Sequence, residues 1–133
     1  MKKISVVILN WNGAKLLKQF LPAVLIHTQA EDCEVVVADN GSSDNSVEVM
    51  KQNFPDVRLI LLDKNYGFAE GYNRALQQVD SKYIVLLNSD VETSPNWVNP
   101  LVEHLKRNRD TAAVQPKILS YTNKSMFEYA GAA

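Results

Sequence analysis

Residues 83–90, Tyr-Ile-Val-Leu-Leu-Asn-Ser-Asp, are an apolar run of strand length that ends at three small polar residues. The run contains neither Gly nor Pro, and this pattern predicts a strand buried on both faces, as in a parallel sheet. In open α/β sheets, ligands bind in the crevice outside the carboxyl ends of the strands. We therefore expect Asp90 at the lip of such a crevice, where its carboxylate offers the hard oxygen ligand that Mg²⁺ or Mn²⁺ prefers.

Strand and helix signals alternate along the rest of the chain. The other strand candidates are residues 4–9, 34–38, 57–62 and 112–118, and the helix candidates are residues 16–25, 45–53, 68–79 and 95–109. Pro22 interrupts the first helical pattern, which predicts a kink or two abutting helices. This alternation predicts an α/β fold with a mostly parallel sheet of about five βα units, joined by right-handed crossovers, with helices on both faces.

The bulk properties fit one globular domain over residues 1–133, with 46% hydrophobic and 22% charged residues. A net charge of −1 argues against nucleic acid as a partner. Cys33 is the only cysteine, which excludes an internal disulfide, indicates a reducing compartment and predicts a small buried side chain. The apolar run at residues 4–9 is too short for a signal peptide, and no segment reaches the ~20 apolar residues of a membrane span, so we expect a cytoplasmic protein.

The last part of the chain carries weaker signals. The periodicity fades after Leu119, and residues 126–133 match no template. No helix-ending signal precedes the final residues. We therefore expect a truncated domain.

Polar and aromatic residues follow the predicted strands. They are Asn10, Trp11 and Asn12 after the first strand, Asp39 and Asn40 after the second, Asn65, Tyr66 and Gly67 after the third, and Asn88, Ser89 and Asp90 after the fourth. Because parallel strands end at one edge of the sheet, these side chains are expected to converge there. Amides, carboxylates and an aromatic ring at one edge are what a nucleotide pocket requires.

Each of these signals also has a simpler interpretation. Asp39 and the two residues after it are typical of a turn, and residues 88–90 are typical of a loop cap. Trp11 alone is more often a packing residue than a stacking platform. Only the joint placement of these residues at strand ends favours a binding site.

Four segments occur in order between about residues 4 and 100. They are Ile-Ser-Val-Val-Ile-Leu-Asn-Trp-Asn (4–12), Val-Val-Val-Ala-Asp-Asn-Gly-Ser-Ser-Asp-Asn-Ser (35–46), Asn-Tyr-Gly-Phe-Ala-Glu-Gly-Tyr-Asn (65–73) and Leu-Leu-Asn-Ser-Asp-Val-Glu (86–92). Together they resemble the donor-binding, N-terminal part of the inverting family-two glycosyltransferases of the GT-A fold, and in particular the bacterial rhamnosyltransferase-like branch.

The resemblance implies roles for individual positions. Trp11 matches the family's aromatic residue beside the nucleotide, and Asp39 matches the carboxylate that hydrogen-bonds a uracil or thymine base. The Asn-x-Gly-Phe segment matches Asn65, Gly67 and Phe68, which would line the pocket beside the nucleoside. With Asn10 and Asn12, these residues make up the expected nucleotide side of the site.

The family's metal motif, often Asp-x-Asp, falls on Asn88, Ser89 and Asp90. Asp90 is then the metal ligand, and Mn²⁺ or Mg²⁺ is the implied cofactor. Asn88 departs from the pattern, since one negative charge is missing. An asparagine still accepts a hydrogen bond from a ribose hydroxyl or a metal-bound water, so the departure affects metal affinity more than nucleotide binding.

The resemblance further implies transfer of a sugar, with inversion, from a UDP- or dTDP-activated donor to a saccharide or lipid-linked acceptor in cell-surface polysaccharide or glycolipid synthesis. A lipid-linked acceptor would bring peripheral association with the inner face of the membrane. The family's general base lies downstream and is expected beyond Ala133, so no catalytic residue is assigned and this fragment is expected to be inactive alone. Glu92, Asp110 and Glu128 are expected at solvated surface positions.

Three other classes of protein are alternatives to this assignment. A non-catalytic nucleotide-sugar-binding domain keeps the fold and is favoured only by Asn88. A receiver-type signalling domain needs an acidic pair after the first strand, where this chain has Asn10, Trp11 and Asn12, and only Asp63 matches its pattern. A dinucleotide-binding domain would need Gly-x-Gly-x-x-Gly after the first strand, and that motif is absent from the sequence.

Overall fold

The described residues, 2–129, alternate between strands and helices in this computed structural model. The elements are β1 (Ile4–Asn10), α1 (Ala14–His27), β2 (Cys33–Asn40), α2 (Ser46–Asn53), β3 (Arg58–Leu62), α3 (Phe68–Leu76), β4 (Tyr83–Leu87), α4 (Val98–Arg107), β5 (Ile118–Leu119) and β6 (Phe127–Tyr129). They fall into two compact units, Met1–Pro95 and Asn96–Ala133. The first unit holds the main sheet, and the second holds α4 and a small antiparallel pair of strands.

The main sheet has four parallel strands in the order β3-β2-β1-β4. Strand β1 is central, and Ile8 pairs with Val37 on one side and with Leu87 on the other. Its residues Val6 and Val7, which point to opposite faces, are both fully buried. The predicted α/β class with a mostly parallel sheet is confirmed.

Helices cover both faces of this sheet. Tyr72 and Ala75 of α3 pack in one apolar cluster with Val7 and Val36 of the sheet. The chain leaves β1 towards β2 through α1 and continues to β3 through α2, whereas α3 carries it back past β1 to β4. Right-handed crossovers therefore place α1 and α2 on the face opposite to α3.

The same path reverses direction between β1 and β4. In open α/β sheets, the crevice for a ligand lies at such a reversal, outside the carboxyl ends of the strands. Trp11 follows one of these two strands and Asp90 follows the other. For a sheet of this topology, the rule predicts the crevice between the ends of β1 and β4.

Strand β4 corrects one expectation, because it is not buried on both faces. In the part of the chain that the structure describes, it pairs only with β1. Ile84 and Leu86, which share one face, are 41% and 54% exposed, while Leu87 is buried. An unbroken apolar run specifies that both faces are apolar, but whether they are covered depends on neighbouring elements that the run itself does not encode.

The predicted fifth strand is also wrong, because residues 111–117 form no regular structure and only Ile118–Leu119 is a strand. That strand pairs antiparallel with Phe127–Tyr129. Phe127–Tyr129 lies inside the segment 126–133, which matched no template in the sequence. Residues 130–133 of that segment lie outside the described range. Pro116 has no N–H to donate to a ladder, which accounts for the late start. Pro22 lies within the single helix α1, so the alternative of two abutting helices is excluded.

Gly41 and Gly67 both adopt positive φ angles, 70° and 78°, in the loops that follow β2 and β3. A Cβ at Gly41 would lie 2.4 Å from the backbone carbonyl carbon of Lys64, whereas a Cβ at Gly67 would meet nothing within 4 Å. A side chain at either position would strain the backbone, but only a side chain at Gly41 would also clash with the backbone of another loop.

We expect Gly41→Ala to destabilise the fold more than Gly67→Ala does. The second variant should cost about 1–3 kcal/mol, the range for a side chain in a strained backbone conformation. Gly41→Ala should exceed that range because two loop backbones must also separate. Urea unfolding followed by circular dichroism measures both free energies, and equal losses would contradict this account.

Candidate functional site

Asp39 lies at the end of β2, where the register pairs it with Asn10 at the end of β1. Its Oδ1 accepts hydrogen bonds from Asn10 Nδ2 (3.0 Å) and Ser42 Oγ (2.7 Å), and its Oδ2 accepts one from Ser42 N (2.9 Å). Asp39 is only 3% exposed. Its carboxylate therefore joins two strand ends and the following turn, and it keeps about one of its four acceptor sites for another donor.

Asn10 is buried, and the orientation of its amide follows from this contact. Because a carboxylate only accepts, the amide nitrogen faces Asp39 and Oδ1 points the other way. That oxygen has no hydrogen-bond partner among the described residues, and it lies 2.5 Å from the position that a Cβ at Gly13 would take. A side chain at Gly13 would therefore displace Asn10.

Asn12 links the loop after β1 to the loop after β2. Its Oδ1 accepts hydrogen bonds from Ser43 N (2.7 Å) and Asp44 N (3.1 Å), and its own N–H donates to Ser42 Oγ (2.9 Å). Asn12 has a φ of 50°, a conformation that asparagine tolerates better than most residues do. Its polar side chain thus organises the loops of this edge.

Asp44 joins the beginnings of two helices. Its Oδ2 accepts a hydrogen bond from Ala14 N (3.2 Å) at the start of α1, and its Oδ1 accepts from Ser46 N (2.9 Å) and Ser46 Oγ at the start of α2. Desolvation by burial acts to raise the pKa of Asp44, but the hydrogen bonds from Ser46 and Ala14 outweigh it and hold the pKa below its ordinary value. The carboxylate also faces the positive ends of two helix dipoles.

Asp44→Asn should lower the free energy of unfolding at pH 7, because an amide NH₂ group cannot accept these hydrogen bonds. Because the pKa of Asp44 is lower in the folded state than in the unfolded state, the ionised carboxylate stabilises the folded protein at a pH above the unfolded pKa. This stabilisation is lost as the pH falls through the folded pKa. The difference between wild type and variant, measured by urea unfolding, should therefore be largest at pH 7 and shrink as the pH falls below the ordinary carboxyl pKa. The exposed Asp56→Asn is the control, and a difference independent of pH would contradict this role.

Asn40, the last residue of β2, organises the loop after β3. It is buried, and its Nδ2 donates to Asn65 Oδ1 (3.1 Å) and Gly67 O (3.0 Å), while its Oδ1 accepts from Tyr66 N (3.0 Å). Asn65 Oδ1 also accepts from Gly67 N (2.8 Å). The side-chain oxygen of Asn65 is therefore engaged inside the loop.

Arg74 and Asp63 hold the outer side of the same loop. The guanidinium carbon of Arg74 lies 3.8 Å from the centroid of the Tyr66 ring. The Tyr66 hydroxyl donates a hydrogen bond to Asp63 Oδ1, which lowers the pKa of that carboxyl. The loop that carries Asn65 and Gly67 is thus held from both sides.

The aromatic residues of the predicted site are exposed. Trp11 is 54% exposed and Phe68 is 66% exposed. The Phe68 ring contacts the buried Tyr72 edge to face, with centroids 5.1 Å apart at an interplanar angle of 75°. Both aromatic side chains therefore present ring surface to solvent from elements that are themselves fixed by buried contacts.

Residues 88–90 follow the end of β4. Asn88 and Asp90 are exposed, and Ser89 is half-buried, with its Oγ 3.8 Å from the position of a Cβ at Gly13. The ends of β1 and β4 are therefore neighbours, as the topology requires. Thr93, three residues after Asp90, is buried. It shares a hydrogen bond of 3.2 Å with His27 Nδ1, which anchors this part of the chain to the end of α1.

Asp90 is suited to a metal only together with a second source of oxygen ligands. No three His, Cys, Asp or Glu side chains within residues 2–129 form a group that holds a metal by themselves. Mg²⁺ is typically held by one or two carboxylates plus substrate phosphates. An exposed single carboxylate after the end of β4 fits that type of site and does not fit an all-protein metal cage.

The structure brings together three groups of the predicted residues. Asn10 contacts Asp39, Asn12 contacts the loop after Asp39, and Asn65 contacts Gly67. Trp11, Phe68, Asn88 and Asp90 make no hydrogen bond or ring contact with one another in the described part of the chain. Whether any of these residues touches a ligand stays a prediction.

Three residues that build this edge were not predicted as part of the site: Ser42, Asp44 and Tyr72. Asn40 was expected at this edge, but its role in holding the loop after β3 was not. Ser42 and Asp44 lie in the quoted motif and follow a strand, so an Asx-type turn or a helix cap was a readable signal. Tyr72 had only the signal of a helical apolar face. Cys33 is buried as expected, and burial, with the nearby Asp32 and Glu34 carboxylates, raises its pKa to about 11.

The chain belongs to glycosyl transferase family 2, whose model matches residues 5–128. Over 111 residues it is 33% identical to an undecaprenyl-phosphate 4-deoxy-4-formamido-L-arabinose transferase of Yersinia pestis, covering 76% of this chain and 33% of the relative. Over 126 residues it is 25% identical to an N-acetylglucosaminyl-diphospho-decaprenol L-rhamnosyltransferase of Mycobacterium tuberculosis, covering 86% and 41%. The chain thus spans about a third to two fifths of the length of these relatives.

Two solved structures share the fold. TarS of S. aureus in complex with UDP-GlcNAc superposes with a TM-score of 0.70 at 18% identity, covering 90% of this chain and 38% of that one. A mannosyltransferase from Pyrobaculum calidifontis in complex with GDP-Man and Mn²⁺ gives a TM-score of 0.68 at 21% identity, covering 87% and 33%. These likenesses confirm the GT-A fold. Among the described residues, no helix has the length and apolar character needed to cross a bilayer.

Proposed function

We propose that this chain binds the activated donor of an inverting glycosyltransferase, with UDP or dTDP as the nucleotide. The observation that supports this most is the placement of Trp11 and Asp90 after the two strands that flank the reversal of the sheet. Family membership gives the reaction class, and the neighbour with UDP-GlcNAc is consistent with a uridine nucleotide. The family assignment disfavours a receiver domain and a dinucleotide-binding domain.

The nucleoside would bind against the fixed loops of β1, β2 and β3. Trp11 would stack on the base, and the remaining acceptor site of Asp39 would take the imide N–H of uracil or thymine. Asn65, Gly67 and Phe68 would line the pocket, with Asn10 and Asn12 holding the loops in place. This arrangement favours a base that presents a hydrogen-bond donor to a carboxylate.

The diphosphate would lie by residues 88–90. Asp90 would hold Mn²⁺ or Mg²⁺ together with the phosphate oxygens, and Asn88 and Ser89 would accept from or donate to ribose and phosphate. When bound, the ion would supply positive charge for the negative charge that develops on the diphosphate. Because Asn88 replaces an acid, the protein contributes one charge fewer to the ion, and affinity for the metal depends more on the nucleotide.

The acceptor side is proposed from the relatives alone. Both relatives have a lipid-linked group in their names, which supports a lipid-linked or saccharide acceptor and synthesis of a cell-surface polymer or glycolipid at a membrane face. Inversion requires a general base that takes the proton of the attacking hydroxyl. None of the described carboxylates is proposed for that role.

Asp90→Asn tests the metal-dependent part of this proposal. We expect the 133-residue chain to bind UDP or dTDP more tightly with Mn²⁺ than with EDTA in titration calorimetry. With Mn²⁺, the variant should bind the nucleotide at least about tenfold more weakly than wild type does, because a neutral amide replaces the charged ligand of the ion. Its affinity in EDTA should change little.

Asp110→Asn, an exposed carboxylate in the second unit, is the matched control and should behave as wild type. A titration with GDP in place of UDP tests whether the site selects the nucleotide by its base. Absence of binding in wild type, or an equal loss in the control, would contradict the proposed site.

A non-catalytic nucleotide-sugar binder is the second candidate, and Asn88 is the observation that favours it. Both candidates bind the donor, but only the enzyme transfers the sugar, giving a product of opposite anomeric configuration. A transfer assay on the whole protein, with the product configuration read by NMR, separates them.

A further inference from the structure

The hairpin formed by β5 and β6 exposes several large apolar side chains to solvent. Leu119, Tyr121, Met126 and Phe127 are each 47% to 60% exposed. A single exposed apolar residue is ordinary on a protein surface, whereas a group of them on one small element is typical of a contact surface. The hairpin therefore presents apolar area that the described part of the chain does not cover.

Two lysines lie beside the exposed rings of the hairpin. Leu119 and Phe127 are paired across the two strands, so their side chains are neighbours. The Nζ atom of Lys117 lies 5.9 Å from the centroid of the Phe127 ring, and the Nζ atom of Lys124 lies 5.5 Å from the centroid of the Tyr121 ring. Each exposed aromatic ring therefore has an ammonium group next to it. We call these residues the hairpin surface: Lys117, Leu119, Tyr121, Lys124, Met126 and Phe127.

The turn of the hairpin is fixed by its own hydrogen bonds. Ser120 N donates to Met126 O (2.8 Å), and Met126 N donates to Asn123 O (3.0 Å). The side-chain oxygen of Asn123 accepts a hydrogen bond from Ser125 Oγ (2.7 Å). Because the backbone is already held in this shape, a partner would not have to order it, which lowers the entropic cost of binding.

Charge is distributed unevenly between the two units of the chain. Residues 96–133 contain five Lys and Arg residues and three Asp and Glu residues, a net charge of +2, whereas residues 1–95 contain nine and twelve, a net charge of −3. Between residues 111 and 129, the lysines of the hairpin surface face a single acidic residue in the sequence, Glu128. The apolar surface thus lies in the basic part of the chain, which favours an anionic partner.

The mixture of side chains on this surface matches the interfacial region of a lipid bilayer. Aromatic rings are favoured at the level of the headgroups, and aliphatic side chains such as Leu119 and Met126 are favoured at the acyl boundary. Lysines extend their stems along apolar surface and place their charge near anionic headgroups. A saccharide would contact the rings and the lysines, but it gives no reason for the exposed aliphatic residues.

We propose that the hairpin surface docks on a bilayer that contains anionic lipids. The inference deepens the proposed function and rests on it for one link, since a lipid-linked acceptor would lie in that bilayer. The hairpin contains none of the residues proposed for donor binding. Docking and donor binding can therefore be measured separately.

Co-sedimentation with vesicles tests the role of the lysines. We expect the 133-residue chain to pellet with vesicles of phosphatidylcholine and phosphatidylglycerol, and not with phosphatidylcholine alone. Added salt should release it, because salt screens the attraction between lysines and anionic lipids. Lys117→Gln and Lys124→Gln should each weaken binding about fivefold, the contribution of one lysine near an anionic surface. Lys18→Gln, an exposed lysine of α1, is the matched control and should bind as wild type does.

Phe127→Thr tests the apolar part of the surface. Threonine suits a strand, and we expect binding to the anionic vesicles to fall about fivefold, since the exposed half of the ring would no longer leave water. Ile26→Thr removes an exposed apolar side chain from α1 and should leave binding unchanged. Light scattering gives the mass in solution, and a wild-type dimer that Phe127→Thr converts to a monomer would overturn the inference in favour of a second copy.

The remaining outcomes also decide the question. Absence of binding to anionic vesicles, equal binding to both kinds of vesicle, or equal losses in the control variants would overturn the inference. Titration with UDP and Mn²⁺ in the absence of vesicles should give the wild-type affinity for every hairpin variant. Intact nucleotide binding without vesicle binding would overturn only the inference, whereas vesicle binding without nucleotide binding would overturn only the proposed function.

Discussion

The buried hydrogen bond from Asn10 to Asp39 is the interaction on which the carboxyl edge of the sheet depends. It joins the last residues of β1 and β2, and Asp39 extends the connection into the next turn through both the N–H and the hydroxyl of Ser42. A buried carboxylate without such donors would carry a large desolvation cost. The bond therefore satisfies Asp39 and fixes the direction in which both loops leave the sheet.

The other loops of this edge are held in a similar way. Asn12 and Asp44 fasten the loops after β1 and β2 to each other and to the starts of two helices, and Asn40 fastens the loop after β3. All three side chains bond to backbone groups, and Asn40 is buried, whereas Asn12 and Asp44 are exposed. The exposed residues of the predicted site that make no hydrogen bond or ring contact with one another are Trp11, Phe68, Asn88 and Asp90. Loops held by polar contacts, with exposed aromatic rings and a carboxylate, are suited to a ligand that contains both a charged group and an aromatic base.

The sequence was sufficient to predict the α/β class and the strand ends that carry the polar residues, because both depend on local periodicity and on turn chemistry. The apolar run at residues 83–87 did not reveal that Ile84 and Leu86 are exposed, since burial depends on which elements cover a strand. The contacts that Asn40 and Tyr72 make could not be predicted for a related reason. Their partners are 15 to 63 residues away in sequence, and only the folded chain brings them together.

The most direct measurement is a crystal structure of the chain with UDP and Mn²⁺. The account predicts that the diphosphate lies between the ends of β1 and β4, with the base against Trp11 and the ion about 2.1 Å from a carboxylate oxygen of Asp90, the distance typical of an octahedral divalent ion. A nucleotide bound at another face, or an ion that leaves Asp90 uncoordinated, would contradict it.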